Sequence, residues 1–372
     1  MNLDLSSAVR YHEGAFPPVL DYAKVLPALL AATDALARYD QMLKGMHNSA
    51  IFLAPLRSQE AVISSRMEGT ISTMDEILQL QAEHDGDVSA ASEYRSDTVE
   101  TMLYQWALTA ASQQIESGRA LSTSLVKSIH QQLLSFGRGA TKSPGAFKTE
   151  QNYIGERGRH VVGYVPVAPE HLAQGMEALF ALINDKAMPI LLRTALTHVE
   201  FEALHPFKDG NGRVGRMLIT LMLWTGGAIS APHFYISRYF EDHKDEYIDR
   251  LREVSATGAW DDWCVFFLAA VEQQAMYNLQ ATENIHNCYE EMKPRFAELL
   301  ASRHSVAALD YLFTNPVFSN SRFTSRAGIP RQTAARFSRL LLQEGLLETA
   351  REPSGRRPAI YRFEPLMKLV RV

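Results

Sequence analysis

The chain has 372 residues, 46% of them apolar, with 37 Lys+Arg against 42 Asp+Glu and a formal net charge of −5 at pH 7. That length and apolar content, with no polar low-complexity tract, exclude a disordered chain and predict a soluble globular protein of two or three domains. The two cysteines, Cys264 and Cys288, have no paired spacing, which excludes a disulfide framework and a cysteine-based zinc site and suits a reducing cytoplasm.

The first five residues lack a basic start and an apolar run, so no secretory leader is expected. No stretch approaches bilayer length, so no membrane partner is expected either. Helical periods dominate residues 20–115, including an apolar run at 25–36 and a segment at 58–69, and continue at 124–134. Short β-prone pieces at 147–155 and 161–166, split by Gly155, Gly158 and Gly163, predict a hairpin. Helices resume around 171–184, 190–204, 213–224 and 244–254, and a long one runs from 260 through 281 with a continuation toward Pro294.

The segment from His205 to Arg216 (HPFKDGNGRVGR) connects two of these helices. Gly210 and Gly212 let the backbone turn so that N–H groups at the start of the second helix share one concavity, an anion nest. A helix N-terminus favours phosphate, and Arg213 and Arg216 add charge-assisted contacts. Asp209 offers the hard oxygen that Mg²⁺ takes when it bridges phosphate oxygens. His205 is the group whose ordinary pKa suits accepting a proton near neutrality. The other histidines form no defensible metal site; His198, seven residues before His205, reads as an interior histidine, and His233, His243, His286 and His304 are scattered.

Every fixed position of this segment resembles the signature of Fic-domain proteins, H-x-F-x-[DE]-G-N-G-R-x-x-R. The resemblance implies AMPylation, the transfer of AMP from ATP to a protein Ser, Thr or Tyr hydroxyl. It makes His205 the base and Asp209 the Mg²⁺ ligand, puts Asn211, Gly210 and Gly212 on the α-phosphate, and puts Arg213 and Arg216 on the distal phosphates. Ser64-Ser65-Arg66-Met67-Glu68-Gly69 resembles the family's inhibitory-helix pattern [ST]-x-x-x-E-[GN]; Ser64 and Glu68 share one helix face, and the resemblance pairs Glu68 with Arg216 in place of the γ-phosphate. The hairpin resembles the Fic flap, an edge that registers a target by strand addition, with Asn152, Tyr153, Ile154 and Gly155 near the nucleotide. The segment 234–240 resembles the one following the Fic core, and Tyr247 is a candidate adenine contact against a plain place in a helix interface.

Residues 303–372 carry 12 Lys+Arg against 5 Asp+Glu, which marks a separate module. Helices at 306–313, 321–327 and 331–343, a turn at Gly328-Ile329-Pro330, and strands at 346–350 and 360–363 resemble a winged helix-turn-helix. Thr333, Arg336 and Arg339 project from the second helix of the pair, and Arg356 and Arg357 sit at the wing tip, where they could meet phosphate. A protein-interaction or dimer role is favoured over DNA, because the surplus is modest.

The expected fold is therefore mainly α: an N-terminal helical region with the inhibitory helix (1–115), a Fic core with flap and signature loop (116–260), a connecting helix (261–302) and a winged helix-turn-helix (303–372). The expected function is a cytoplasmic protein adenylyltransferase that uses ATP and Mg²⁺, modifies a protein target including itself, and is restrained by Glu68. A homodimer and removal of AMP by the same site stay open. The alternative is a DNA-binding regulator whose Fic domain senses nucleotide; the intact His205 and Asp209 favour the enzyme.

Overall fold

A computed structural model describes residues 3–46, 48–83, 94–155, 161–355 and 357–372. Gly158 and Arg356, singled out above, lie outside the described residues. The described helices are α1 (Tyr22–Gly45), α2 (Ala50–Met67), α3 (Met74–Glu83), α4 (Ser96–Glu116), α5 (Thr123–Leu133), α6 (Pro169–Ile183), α7 (Ile190–Leu204) and α8 (Asn211–Thr225). They continue with α9 (Ser237–Asp242), α10 (Lys244–Thr257), α11 (Trp260–Leu300), α12 (Ser305–Thr314), α13 (Asn320–Arg326), α14 (Arg331–Gln343) and α15 (Glu364–Val370). The strands are β1 (Val9–Arg10), β2 (Ile154–Gly155), β3 (Val162–Val165), β4 (Val317–Ser319), β5 (Leu347–Arg351) and β6 (Ile360–Phe363). The fold is mainly α, as the periodicity predicts. No helix among the described residues is long and apolar enough to cross a membrane.

Two compact units interleave along the chain: residues 1–41 with 106–276, and residues 42–105 with 277–372. In the first, α7 and α8 form the central hairpin. Gly215 lets them approach, since a Cβ there would stand 2.5 Å from the Glu202 carboxylate. The Trp263 indole, fully buried, donates to the Ala195 carbonyl of α7 at 2.8 Å. The flap strands β2 and β3 pair antiparallel, with Ile154 opposite Tyr164. A strand absent from the sequence reading completes this sheet: β1 pairs parallel with β3, giving the order β1-β3-β2. A network holds β1's neighbours to α7, with Tyr11 donating to Glu200 at 2.7 Å and His12 bridging Glu200 and Ser255 at 2.8 Å each.

The second unit has a core drawn from distant parts of the sequence. Phe52, Val62, Met74 and Ile77 of α2 and α3 pack in one cluster with Leu309, Leu312 and Phe313 of α12, Phe337 of α14, Phe363 of β6 and Met367 of α15. Polar contacts follow the same route: Gln59 donates to the Val370 carbonyl at 2.8 Å, and Asp75 pairs with Arg362 at 2.8 Å and Arg371 at 3.0 Å. Residues 305–372 follow the order helix, strand, helix, helix, two strands, helix, with sheet order β4-β6-β5. Strand β4 and helix α15 are additions to the sequence reading. Helix α11 runs through Pro294 to Leu300, six residues past the proline that was expected to stop it. Proline removes one backbone hydrogen bond, and here burial of Phe296 and Leu300 beyond it offsets that loss.

Because α2 and α3 share a core with α12–α15, Phe313→Ala should destabilise them together, by about 3–5 kcal/mol for a fully buried phenylalanine. Amide exchange should rise in α2, α3, α12 and α14 as one group while α7 and α8 keep their protection. Protection of α2 unchanged in the variant would contradict a single core.

Candidate active site

The loop after α7 reverses the chain in six residues, and His205 makes the first move. It caps α7 in the left-handed conformation (φ 46°, ψ 61°), its N–H still bonded to the Phe201 carbonyl at 3.0 Å. Glycine normally takes this position, and a side-chain-bearing residue there costs roughly 1–2 kcal/mol. Gly210 makes the second move, left-handed at φ 77°, and α8 begins at Asn211. The helix thus starts two residues earlier than the sequence reading placed it, so Asn211 and Gly212 form its first turn. The N–H groups of Asn211, Gly212 and Arg213 have no acceptor within the helix, whose first such bond runs from Val214 to Gly210 at 3.1 Å.

Side chains hold the loop from three directions. Asn211 grips Phe207 at both ends, accepting from its N–H at 2.9 Å and donating to its carbonyl at 2.8 Å. This amide is therefore engaged within the loop, and Asn211 faces any anion with its backbone. From α5, the buried His130 stacks flat on the Phe207 ring (3.7 Å, 6°), accepts the Gly145 N–H at 2.8 Å and donates to the Asp209 carbonyl at 3.0 Å. From the irregular segment that precedes β2, Lys148 and Asn152 reach the loop. The Lys148 N–H donates to Pro206 (2.8 Å) and its ammonium to Leu204 (2.9 Å), while the Asn152 amide donates to His205 and Phe207 (3.1 Å each). Neither His130 nor Lys148 has a sequence signal, since one is a lone histidine on an apolar face and the other a lone lysine in a strand-prone run.

The electrostatics favour an anion. Arg213 is only 3% exposed, its Nε and Nη1 have no hydrogen-bond partner, and its nearest carboxylate oxygen, on Asp209, stands 3.9 Å from Nη2. A buried guanidinium with one long ion pair and two nitrogens lacking partners keeps much of its desolvation cost until a ligand meets it. Arg216 is buried as well. Burial, reinforced by the charge of Arg216, pushes the pKa of His198 down to about 3. Burial likewise pushes His130 down to about 4, so both histidines are neutral near pH 7.

The Asp209 side chain is 42% exposed, and one oxygen accepts the Gly210 N–H at 2.7 Å. A partly exposed carboxylate beside a phosphate cradle fits Mg²⁺, which takes one or two carboxylates, water and phosphate oxygens rather than a full protein cage. No group of three or more His, Cys, Asp or Glu that could hold a metal ion occurs among the described residues.

The structure places the remaining candidates as follows. Tyr153 is 43% exposed on the flap, and Ile154 and Gly155 form its edge strand β2. Tyr247 is buried against Phe240 (4.5 Å between rings), and its hydroxyl lies 2.9 Å from Nε2 of His198, which makes it part of the aromatic interior of the unit. Ser64 is buried in α2, and Glu68 is that helix's C-cap. Gly69, left-handed at φ 80°, closes the helix through bonds from Gly69 to Arg66 (2.9 Å) and Thr70 to Ser65 (3.1 Å).

Residues 120–223 match the model described as Fic/DOC family, and residues 26–113 match the Fic/DOC family N-terminal model. A Fido domain-containing protein of Dictyostelium discoideum is 31% identical over 120 residues, which is 31% of this chain and 74% of that protein. The protein adenylyltransferase fic-1 of Caenorhabditis briggsae is 31% identical over 102 residues, 27% of this chain. The chain spans less than a fifth of that relative's length, 18%. Among solved structures, a Fic family protein from Desulfovibrio desulfuricans shares the fold with a TM-score of 0.59 at 17% identity, covering 93% of this chain and 98% of the other.

The neutral histidines make a testable pH dependence. Both folded-state pKa values lie below the unfolded value of about 6.5, so the unfolded chain binds more protons in acid. The stability they contribute is complete above about pH 6.5 and is lost as pH falls toward 4 and 3. Each proton steepens the dependence by up to about 1.4 kcal/mol per pH unit. Urea unfolding of His130→Gln between pH 4.5 and 7.5 should show a slope shallower than wild type by about one proton; equal slopes would mean that His130 is not held neutral.

Proposed function

The chain belongs to the Fic/DOC family, and on that premise we propose that it is a protein adenylyltransferase, transferring AMP from ATP to a Ser, Thr or Tyr hydroxyl of a protein, itself included. The observation that carries this reading is the buried Arg213 guanidinium in the first turn of α8, with Nε and Nη1 lacking a hydrogen-bond partner, next to a loop that opens on a histidine held in the left-handed conformation. The triphosphate sits on the α8 amides, with Arg213 and Arg216 on its distal part. His205 takes the proton of the acceptor hydroxyl as its oxygen attacks the α-phosphorus; the bond to the bridging oxygen breaks and pyrophosphate leaves with that electron pair. Asp209 would hold Mg²⁺, which would supply charge neutralisation of the triphosphate when bound.

Glu68 is the proposed restraint. A carboxylate at a helix C-terminus opposes the helix dipole, typically by about 0.3–1 kcal/mol, so helix stability does not favour it there. In this reading Glu68 pairs with Arg216 and occupies the γ-phosphate position. For residues 305–372 we favour a winged helix serving protein contact over DNA: one of its candidate arginines, Arg336, already donates to the Leu300 carbonyl at 2.7 Å.

Incubation with α-labelled and γ-labelled ATP in parallel should label the protein from the α-position alone. His205→Ala should cut transfer by about 10²- to 10⁴-fold while ATP binding persists; full self-labelling by that variant would sink the assignment. Glu68→Gly should raise self-AMPylation sharply, and adding Arg216→Ala should return it to the level of the arginine variant alone. A Glu68→Gly protein no more active than wild type, at matched folding, would remove Glu68 from the regulation.

A further inference from the structure

We propose that Lys148 is a positioning residue for the transfer step: together with Asn152 it holds the four consecutive carbonyls of residues 204–207 and so keeps His205 in the left-handed backbone from which it acts. The inference rests on the adenylyltransferase reading above. Two residues of the irregular segment that leads into β2 supply every one of these contacts. The Lys148 N–H meets Pro206 at 2.8 Å and its Nζ meets Leu204 at 2.9 Å; the Asn152 Nδ2 meets His205 and Phe207 at 3.1 Å each. A fifth bond, from Nζ to Asn152 Oδ1 at 2.8 Å, joins the two and orients the amide so that its donors face the loop.

Lys148 is costly to bury for packing alone. It is 3% exposed, and its side chain meets two neutral oxygens in these bonds. Apolar residues of similar length would fill the space without desolvating a charge. Burial pushes its pKa down to about 7, and a neutral amine still carries two hydrogens for the two oxygens it meets, so the contacts survive loss of the charge. What only a long donor can do here is tie the end of α7 to Asn152. Residue 205 bears a side chain at a position that glycine usually takes, and its backbone persists only where its surroundings over-determine it. The Lys148–Asn152 pair provides that constraint, and it couples the flap to the loop carrying the base.

The test uses the 372-residue chain carrying Glu68→Gly, with transfer rate at saturating ATP and ATP affinity by calorimetry measured separately. Lys148→Met should lower the transfer rate by about 10- to 100-fold, since misplacement of a reacting group by an ångström costs on that order. ATP affinity should stay within about twofold, because the α8 amides and Arg213 are untouched. Lys148→Arg, which keeps a long donor, should recover most of the rate. Asn152→Asp, nearly isosteric but without the donors to His205 and Phe207, should lower the rate to a similar degree, and the double variant should be little worse than either single one. If Lys148→Met proves unfolded by circular dichroism, Asn152→Asp decides. A folded Lys148→Met or Asn152→Asp protein with parental rate, or one whose rate and ATP affinity fall equally, overturns the positioning role. Absence of AMP transfer in the parent, indistinguishable from His205→Ala, overturns the transferase reading and this inference with it.

Discussion

The chain reversal between α7 and α8 is the constraint on which the rest of the first unit depends. Six residues turn the backbone through two left-handed positions, one of them a glycine and the other His205. The helices on either side lie close at Gly215, where an added Cβ would stand 3.3 Å from the Phe201 ring and 3.4 Å from the His198 ring. A short loop between closely packed helices leaves its carbonyls facing inward, and buried carbonyls require donors. They come from outside the loop: His130 of α5 for Asp209, Lys148 and Asn152 for residues 204–207. Flap, loop and α5 are consequently one hydrogen-bonded piece.

The same arrangement determines where charge resides. Two imidazoles, His130 and His198, are packed beneath the loop and α8, and burial holds both neutral. The arginines cannot respond in that way, since a guanidinium does not lose its proton in a protein. Positive charge is therefore concentrated on Arg213 and Arg216 at the α8 amino end, where the helix dipole adds to it. Asp209 is the exposed acidic group of the loop. A phosphate chain fits this distribution, and a ligand without acceptors leaves Nε and Nη1 of Arg213 without partners.

The second unit gives α2 an unusual setting. Its apolar residues join α12–α15 in one core, while its polar residues Ser58, Glu60 and Ser64 are buried too. Two of these are satisfied from α4: Gln105 donates to Ser58 at 2.9 Å and Tyr104 to Glu60 at 2.8 Å. A helix that buries both kinds of side chain shows little amphipathic contrast, so its packing partners cannot be found from periodicity. The conformational state of α2 is tied to that of the C-terminal module by their common apolar interior.

The sequence by itself determined most of the element types and the position of the candidate active loop. Periodicity placed α7 and α14 at their observed bounds, and the hairpin followed from β-prone pieces split by glycines, because these signals are local. The density of chemistry-bearing residues between His205 and Arg216 likewise lies in one stretch. Tertiary structure alone decided which residues support that stretch. His130 lies 79 positions from the Asp209 carbonyl it meets and Lys148 lies 56 from Leu204; an isolated histidine or lysine carries no record of such a partner. The added strand β1 and the core joining α2 to α12–α15 were hidden for the same reason. Each is a pairing of segments far apart in the chain, selected by complementary surfaces that exist only once both segments have folded.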